Sequence, residues 1–370
     1  MVPVFRSFSS RWSLALVALA AGAASLALPS TASAQSTDFA STFDDALGTE
    51  MRSPASFEAV YATGFEQRIA QLADGSRGRI GVYAVDLATG EEVSVLGDMR
   101  FPMASTSKVA VAATFLAGVD EGRFSLTSEY PLLIRQRSAR FSSARAPVKE
   151  GNYIPGYEHL NLMISKSCNS CTDALLRVVG GPDAVNTWMR KAGFKDFDLS
   201  RDIATLVRDD GEYDPVEWID PRDSATPRTM GRLLAGIYQG KWLSARSRNV
   251  LLQAMEETTT GRRRMNAVLP DSANLAHKTG TLSRTASDIG IFRLPDGRAI
   301  VAAIYVTGQS ANLSDERVNK RRARKMRDER IAEITRELYL GFAAKARQQN
   351  GIGNDPTRNW ASEPLPATGG

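Results

Sequence analysis

The stretch Phe101-Pro102-Met103-Ala104-Ser105-Thr106-Ser107-Lys108, running on into the apolar residues Val109 to Val119, decides how this chain is read. A loop punctuated by proline gives way to a predicted helix whose first turn carries a serine and, three residues on, a lysine. Residues three apart share a helical face, so the amine can lie beside the hydroxyl. A helix start also supplies backbone N–H groups and partial positive charge, which favour a developing alkoxide. These are the parts of a nucleophilic serine with a lysine base.

Upstream, Arg6 and Arg11 precede an apolar, Ala-rich run from Leu14 to Leu28, and Ala32-Ser33-Ala34 offers a small-residue cleavage site. Residues 1–34 are therefore read as a cleavable secretory signal rather than a membrane span, which places the mature protein in the periplasm or outside the cell. Roughly 310 residues remain, enough for one large domain or two lobes sharing a site. With 43% apolar residues the chain can build a real core, and the formal charge of +5, two arginines of it in the signal, points to no nucleic acid. The only cysteines are Cys168 and Cys171, so a disulfide-stapled miniature scaffold is excluded. Their spacing and an oxidising compartment permit a bridge, and two buried thiols are the alternative.

Helical periodicity covers Ser56 to Leu72. Strands follow at Gly81 to Asp86 and Glu92 to Leu96 about the turn Ala88-Thr89-Gly90. The serine helix ends at Gly122, and Thr127 to Tyr157 reads as a polar, proline-punctuated stretch. A second cluster, Ser165-Lys166-Ser167-Cys168-Asn169-Ser170, leads into a helix that stops at Gly180-Gly181. Asp196 to Thr226 is a long acidic segment of little periodicity, read as a functional loop. Helices are predicted over Pro227 to Tyr238 and Ser244 to Met255. The third cluster, His277-Lys278-Thr279-Gly280-Thr281, precedes strands at Ser287 to Phe292 and Ala299 to Val306, and a last helix runs from about Asp315 to Ala344. The fold expected is α/β (α+β): an antiparallel sheet built from both termini with flanking helices, plus an inserted all-helical lobe. Its parts are a catalytic domain over 35–346, with an α/β lobe at 55–104 and 262–346 and a helical lobe at 105–261, and a disordered tail at 347–370.

A lone S-x-x-K is weak; the ordered set Ser105-x-x-Lys108, Ser167-x-Asn169 and Lys278-Thr279-Gly280 is specific. With F-P-M-x-S-T-x-K at the serine, Gly180-Gly181, Arg222-Asp223 before a Thr-Pro turn and Asp328-Glu329-Arg330, it resembles the serine β-lactamase and penicillin-binding protein superfamily over residues 55–345, class A β-lactamases above all. The resemblance implies a β-lactamase-like fold and hydrolysis of β-lactam amides through an acyl-enzyme on Ser105. Lys108 would deprotonate the serine, and Ser167 would pass a proton to the leaving nitrogen. Asn169 would hold the substrate's side-chain amide. Lys278, Thr279, Gly280 and Thr281 would bind its carboxylate region with Arg284 as a further clamp, and the amides of Ser105 and Thr281 would form the oxyanion hole. No cofactor or metal is expected, and the protein should act as a monomer on a small molecule. The alternatives are a D,D-peptidase or a penicilloyl-trapping sensor.

One departure matters. Class A enzymes carry Glu-x-x-x-Asn between the second and third clusters, and this chain has none. Ungapped counting from Arg222-Asp223 pairs Arg208 with Asp223 and puts Asp210 in the Glu position, with Asp214 for the Asn. Glu212 and Glu217 are the other candidate bases. The two histidines, His159 and His277, support neither a Ser-His-Asp triad nor a metal site, because His277 would face away from Lys278 on a strand. The basic run Arg317, Lys320, Arg321, Arg322, Arg324, Lys325 and Arg327 is read as a solvated helix face.

Overall fold

The computed structural model describes residues 64–75 and 77–349; the predicted signal, the start of the first predicted helix and the tail lie outside them. In chain order, α1 (Gly64–Leu72) leads into the hairpin β1 (Ile80–Asp86) and β2 (Glu92–Val95). The short β3 (Phe101–Pro102) follows, then a 3-10 turn at Ala104–Ser107 and helix α2 (Lys108–Asp120). The helical side comprises the hairpin β4 (Glu129–Arg135) and β5 (Val148–Pro155), α3 (Gly156–Ser165), α4 (Asn169–Val179) and α5 (Pro182–Lys191). It continues through β6 (Phe197–Asp198), α6 (Ile203–Arg208), β7 (Ser224–Ala225), α7 (Pro227–Tyr238) and α8 (Ala245–Glu256). Three long strands, β8 (Ala276–Leu282), β9 (Thr285–Arg293) and β10 (Ala299–Thr307), precede α9 (Leu313–Val318) and α10 (Lys320–Gln349).

The sheet runs β2-β1-β10-β9-β8, antiparallel throughout, so the first strand pairs with the last, Ile80 opposite Val306 and Asp86 opposite Ile300. Every residue of β10 is buried because both sheet faces are covered. Its side chains alternate between two cores. Ile300, Ala302, Ile304 and Val306 meet Phe65, Ile69, Ile331, Leu338 and Phe342 of α1 and α10, whereas Val301, Ala303 and Tyr305 join the core of the helical side. Helix α2 is the centre of that side. Lys108 to Gly118 are all buried, as an apolar run without a polar stripe requires.

The sheet, the flanking helices and the serine segment follow the sequence reading, and four local details differ. Ser105 lies in the 3-10 turn, and the α-helix proper begins at Lys108. The stretch from Thr127 to Tyr157 contains the β4–β5 hairpin, whose pattern was obscured because only Pro131 and Leu133 of β4 and none of β5 are fully buried. The acidic segment holds α6, capped by Asp202, whose side chain accepts from the Thr205 amide. The last helix is broken at Asn319, and Arg327 leaves the basic run: it is buried and bound to Glu316 at 2.7 Å.

Candidate active site

The three clusters converge where the 3-10 turn, the start of α4 and the edge strand β8 meet. Gly280 makes this approach possible: a Cβ there would fall 2.4 Å from Ser287 Oγ and 2.7 Å from the Met103 carbonyl oxygen. Only a residue without a side chain lets β8 lie against the turn that carries Ser105. Ser105 is half-buried within an otherwise buried run, Thr106 to Gly118, so its hydroxyl is the accessible group of that turn. Ala104 before it takes φ +50, and Ser167 takes φ +58, both left-handed conformations that ordinary residues rarely adopt.

Two buried lysines lie beneath this surface. Lys108 Nζ donates to the Ser167 carbonyl and to Asn169 Oδ1, each at 2.7 Å, and lies 3.3 Å from Ser167 Oγ. Lys278 Nζ donates to the same Ser167 hydroxyl and to the Thr279 carbonyl, each at 3.0 Å. Ser167 therefore stands between two amines. Burial, and next the Lys278 charge, hold Lys108 well below the ordinary lysine range, against the opposing field of Asp173. A neutral amine has two N–H donors, matching the two short contacts, and keeps its lone pair for a hydroxyl proton. Burial likewise brings Lys278 down to about 7; Asp288 opposes that shift and Arg264 adds to it.

The rim is polar and open. Asn169 and Thr281 are exposed, and Thr279 Oγ1 is 2.6 Å from Thr260 Oγ1. Arg264, 4% exposed, reaches up from below: Nη2 donates to Thr281 Oγ1 at 2.7 Å, Nη1 to the Gly280 and Ser287 carbonyls at 2.8 Å, and Nε to Asp328 at 2.7 Å. Sequence reasoning passed over Arg264 because it ends the run Arg262-Arg263-Arg264, where nothing distinguishes one arginine from the next. Cys168, between the serine and asparagine of the second cluster, forms a disulfide with Cys171 across the first turn of α4. His277 faces away from Lys278, buried with Nδ1 2.9 Å from Asp288.

The acidic segment departs from the ungapped count. Arg208 binds Asp209 at 2.7 and 2.9 Å and the Ser142 carbonyl at 2.8 Å, not Asp223. The cation on Asp223 is Arg201, at 2.5 Å. The cause is α6: a helix beginning at Ile203 turns Arg208 toward the β4–β5 loop and leaves Arg201, before its cap, at the neck. Asp210 is drawn to the β8–β9 turn, where both carboxylate oxygens accept from the Ser283 amide at 2.8 and 3.0 Å. Neither Lys108 nor Ser167 hydrogen-bonds to it. Arg284 is no clamp on the cleft; it is 3% exposed and bound to Asp214 at 2.9 Å. Glu212 binds Arg222, and Glu217 is exposed. Among the described residues no cluster of side chains suited to a metal ion occurs, and no helix is long and apolar enough to cross a membrane.

Residues 64–341 match the Beta-lactamase enzyme family. The chain is similar to Beta-lactamase VEB-1 of Pseudomonas aeruginosa, 28% identical over 288 residues that span 74% of this chain and 89% of that protein. Its fold is similar to the ancestral (GNCA) class A β-lactamase, with 30% identity, TM-score 0.61, and coverage of 75% of this chain and all (100%) of that one. It is also similar to the L158E mutant of PBP-A, solved as an acyl-enzyme complex with penicillin G, with 26% identity, TM-score 0.62, and coverage of 76% and 97%.

Proposed function

The chain belongs to the β-lactamase enzyme family, within its class A serine branch, and on that premise we propose that Ser105 opens the β-lactam amide by forming an acyl-enzyme. The observation that carries this reading is the pair of buried lysines that both reach the Ser167 hydroxyl, with the Lys108 amine held well below the ordinary lysine range. Lys108 takes the Ser105 proton as Oγ attacks the carbonyl carbon. The amides of Ser105 and Thr281 receive the oxyanion, and Ser167 delivers a proton to the ring nitrogen as the C–N bond breaks. Lys278, Thr279 and Thr281 hold the substrate carboxylate, with Arg264 strengthening the positive field below. Gly280 keeps β8, an edge strand, against the nucleophile turn, and Asn169 holds the substrate's amide arm while fixing Lys108. Asp210 and Arg284 have no part in this scheme.

The protein acts outside the cytoplasm, as a monomer. Support for export comes from the basic and apolar leader and from the disulfide in the site, which an oxidising compartment sustains. A second reading, a D,D-peptidase that forms the ester and releases it slowly, draws support from the side chains of the acidic segment, which turn to partners away from the cleft. Mass spectrometry of the purified protein after mixing with benzylpenicillin separates the two. A transient adduct on Ser105 with steady turnover is expected; a permanent adduct would favour the peptidase, and no adduct would end both readings.

A further inference from the structure

The disulfide of the second cluster has no part in the acylation scheme, yet it lies inside the site. Cys168 separates Ser167 from Asn169, and its sulfur is bonded to that of Cys171 one turn into α4. The two ends of the bridge differ. Cys171 is fully enclosed in the core that α2 and α4 share, whereas Cys168 is half-buried at the head of α4, where its sulfur accepts the Cys171 amide at 3.1 Å. The bridge therefore ties the main chain between two site residues to the packed interior.

Other restraints on those residues are few. Ser167 takes φ +58 between the end of α3 and the start of α4, a conformation that ordinary residues rarely adopt. The Cys168 amide donates to the Leu162 carbonyl at 3.1 Å and its carbonyl accepts from the Thr172 hydroxyl at 2.7 Å, which fixes the main chain of that one residue. Among the described residues, the side chains of Ser167 and Asn169 are hydrogen-bonded by Lys108 and Lys278 alone. Those contacts change during acylation, as Lys108 gains a proton from Ser105 and Ser167 gives one to the ring nitrogen. A disulfide gains and loses no proton at these steps. As a staple for the whole fold the same bridge adds little: it joins residues three apart that the helix already brings together, and stabilisation by a crosslink grows with the loop it closes.

We propose that the Cys168–Cys171 bridge is the positioning element of the second cluster, holding Ser167 and Asn169 in register with Lys108, so that acylation depends on its oxidation state. The inference rests on the acyl-enzyme reading above. A water-soluble phosphine reduces the bridge by attacking the more accessible Cys168 sulfur. The S–S bond breaks, each sulfur ends with one proton from water, and phosphorus keeps the water oxygen as phosphine oxide. Once the tie is lost, Ser167 and Asn169 shift from the Lys108 amine, and a displacement near 1 Å slows acylation about a hundredfold. Water then reaches Lys108, which burial and the Lys278 charge from β8 hold low against Asp173 of α4. Its pKa rises, and because the neutral amine is the base, the acid limb of acylation moves to higher pH.

The test compares the bridged protein, the phosphine-reduced protein and the double variant Cys168→Ser/Cys171→Ser, with free thiols counted by alkylation and mass spectrometry. Acylation by benzylpenicillin is followed by stopped flow against pH, and the thermal midpoint is measured alongside. The expected result is acylation slowed by about 10- to 100-fold in both altered forms, an acid limb displaced to higher pH, and recovery when the reduced protein is reoxidised. The midpoint should fall by no more than about 8 °C. Acylation at the bridged rate without the bridge overturns the proposal. So does a variant that fails to fold, or a larger fall in midpoint with an unmoved pH profile, since either assigns the bridge to the fold rather than to the site. Where the phosphine leaves the bridge intact, the double variant alone decides. A bridged wild type that forms no adduct removes the acyl-enzyme reading, and this inference with it.

Discussion

Replacing Arg264 by methionine tests how the floor of the site is built. The guanidinium is 4% exposed and makes four hydrogen bonds, to Asp328, Thr281 and the carbonyls of Gly280 and Ser287. Methionine fills much of the space and answers none of these acceptors. Breaking a buried ion pair from one side costs about 3–5 kcal/mol. Asp328 keeps 13% of its side chain accessible, so the lower end, roughly 3 kcal/mol, is the better figure. At about 2–4 °C per kcal/mol for a domain of this size, the thermal midpoint should fall by roughly 6–12 °C. A second readout follows from charge. Arg264 helps hold Lys278 down, so without it the Lys278 amine keeps its proton to higher pH. Calorimetry at pH 7 and the pH profile of acylation kcat/KM measure both. A midpoint within about 2 °C of the wild type, together with an unmoved profile, would refute the account of Arg264 as the strut beneath β8.

The remaining predictions concern the cleft itself. Lys278 is cationic below about 7 and neutral above, so acylation kcat/KM for a carboxylate-bearing penicillin should fall as pH rises through that value. A charge-assisted hydrogen bond is worth about 1.5–3 kcal/mol, so the loss should reach about 10- to 100-fold. The same fall with an esterified substrate would exclude Lys278 as its cause. Gly280→Ala forces β8 away from the nucleophile turn, and a displacement near 1 Å should slow acylation about a hundredfold, as read by stopped flow. Acylation at the wild-type rate would mean that the turn and strand move without consequence. Asp210→Asn should leave adduct release unchanged, since the carboxylate serves the Ser283 amide; a persistent adduct would return Asp210 to the chemistry.

Most of the sheet and the serine–lysine core were legible from the sequence because both rest on local signals. Continuous apolar runs such as Ala299 to Val306 report a strand covered on both faces, and the first two clusters sit at helix starts while the third lies within β8. What escaped depends on non-local pairing. Arg201 and Arg208 are both arginines near the neck of one segment, and only the capped start of α6 decides which of them meets Asp223. Asp210 and Arg284 stood where spacing suggested chemistry, yet each found a partner on another element. The β4–β5 hairpin was obscured because its strands lie largely at the surface, where burial imposes no alternation.

The pairing of the first long strand with the last has a consequence in time. β1 finds its neighbour β10 only after nearly the whole chain has been made, and Ser105 waits through roughly 170 further residues for Lys278, about 10–35 s at ordinary rates of synthesis. Through that interval the emerging polypeptide carries the serine but not the second amine that shapes its surroundings. It is chemically quiet, and it also exposes β1 as an unpaired edge. Such long-range closure folds slowly. The topology that brings the three clusters together therefore also delays the site until the final strands arrive.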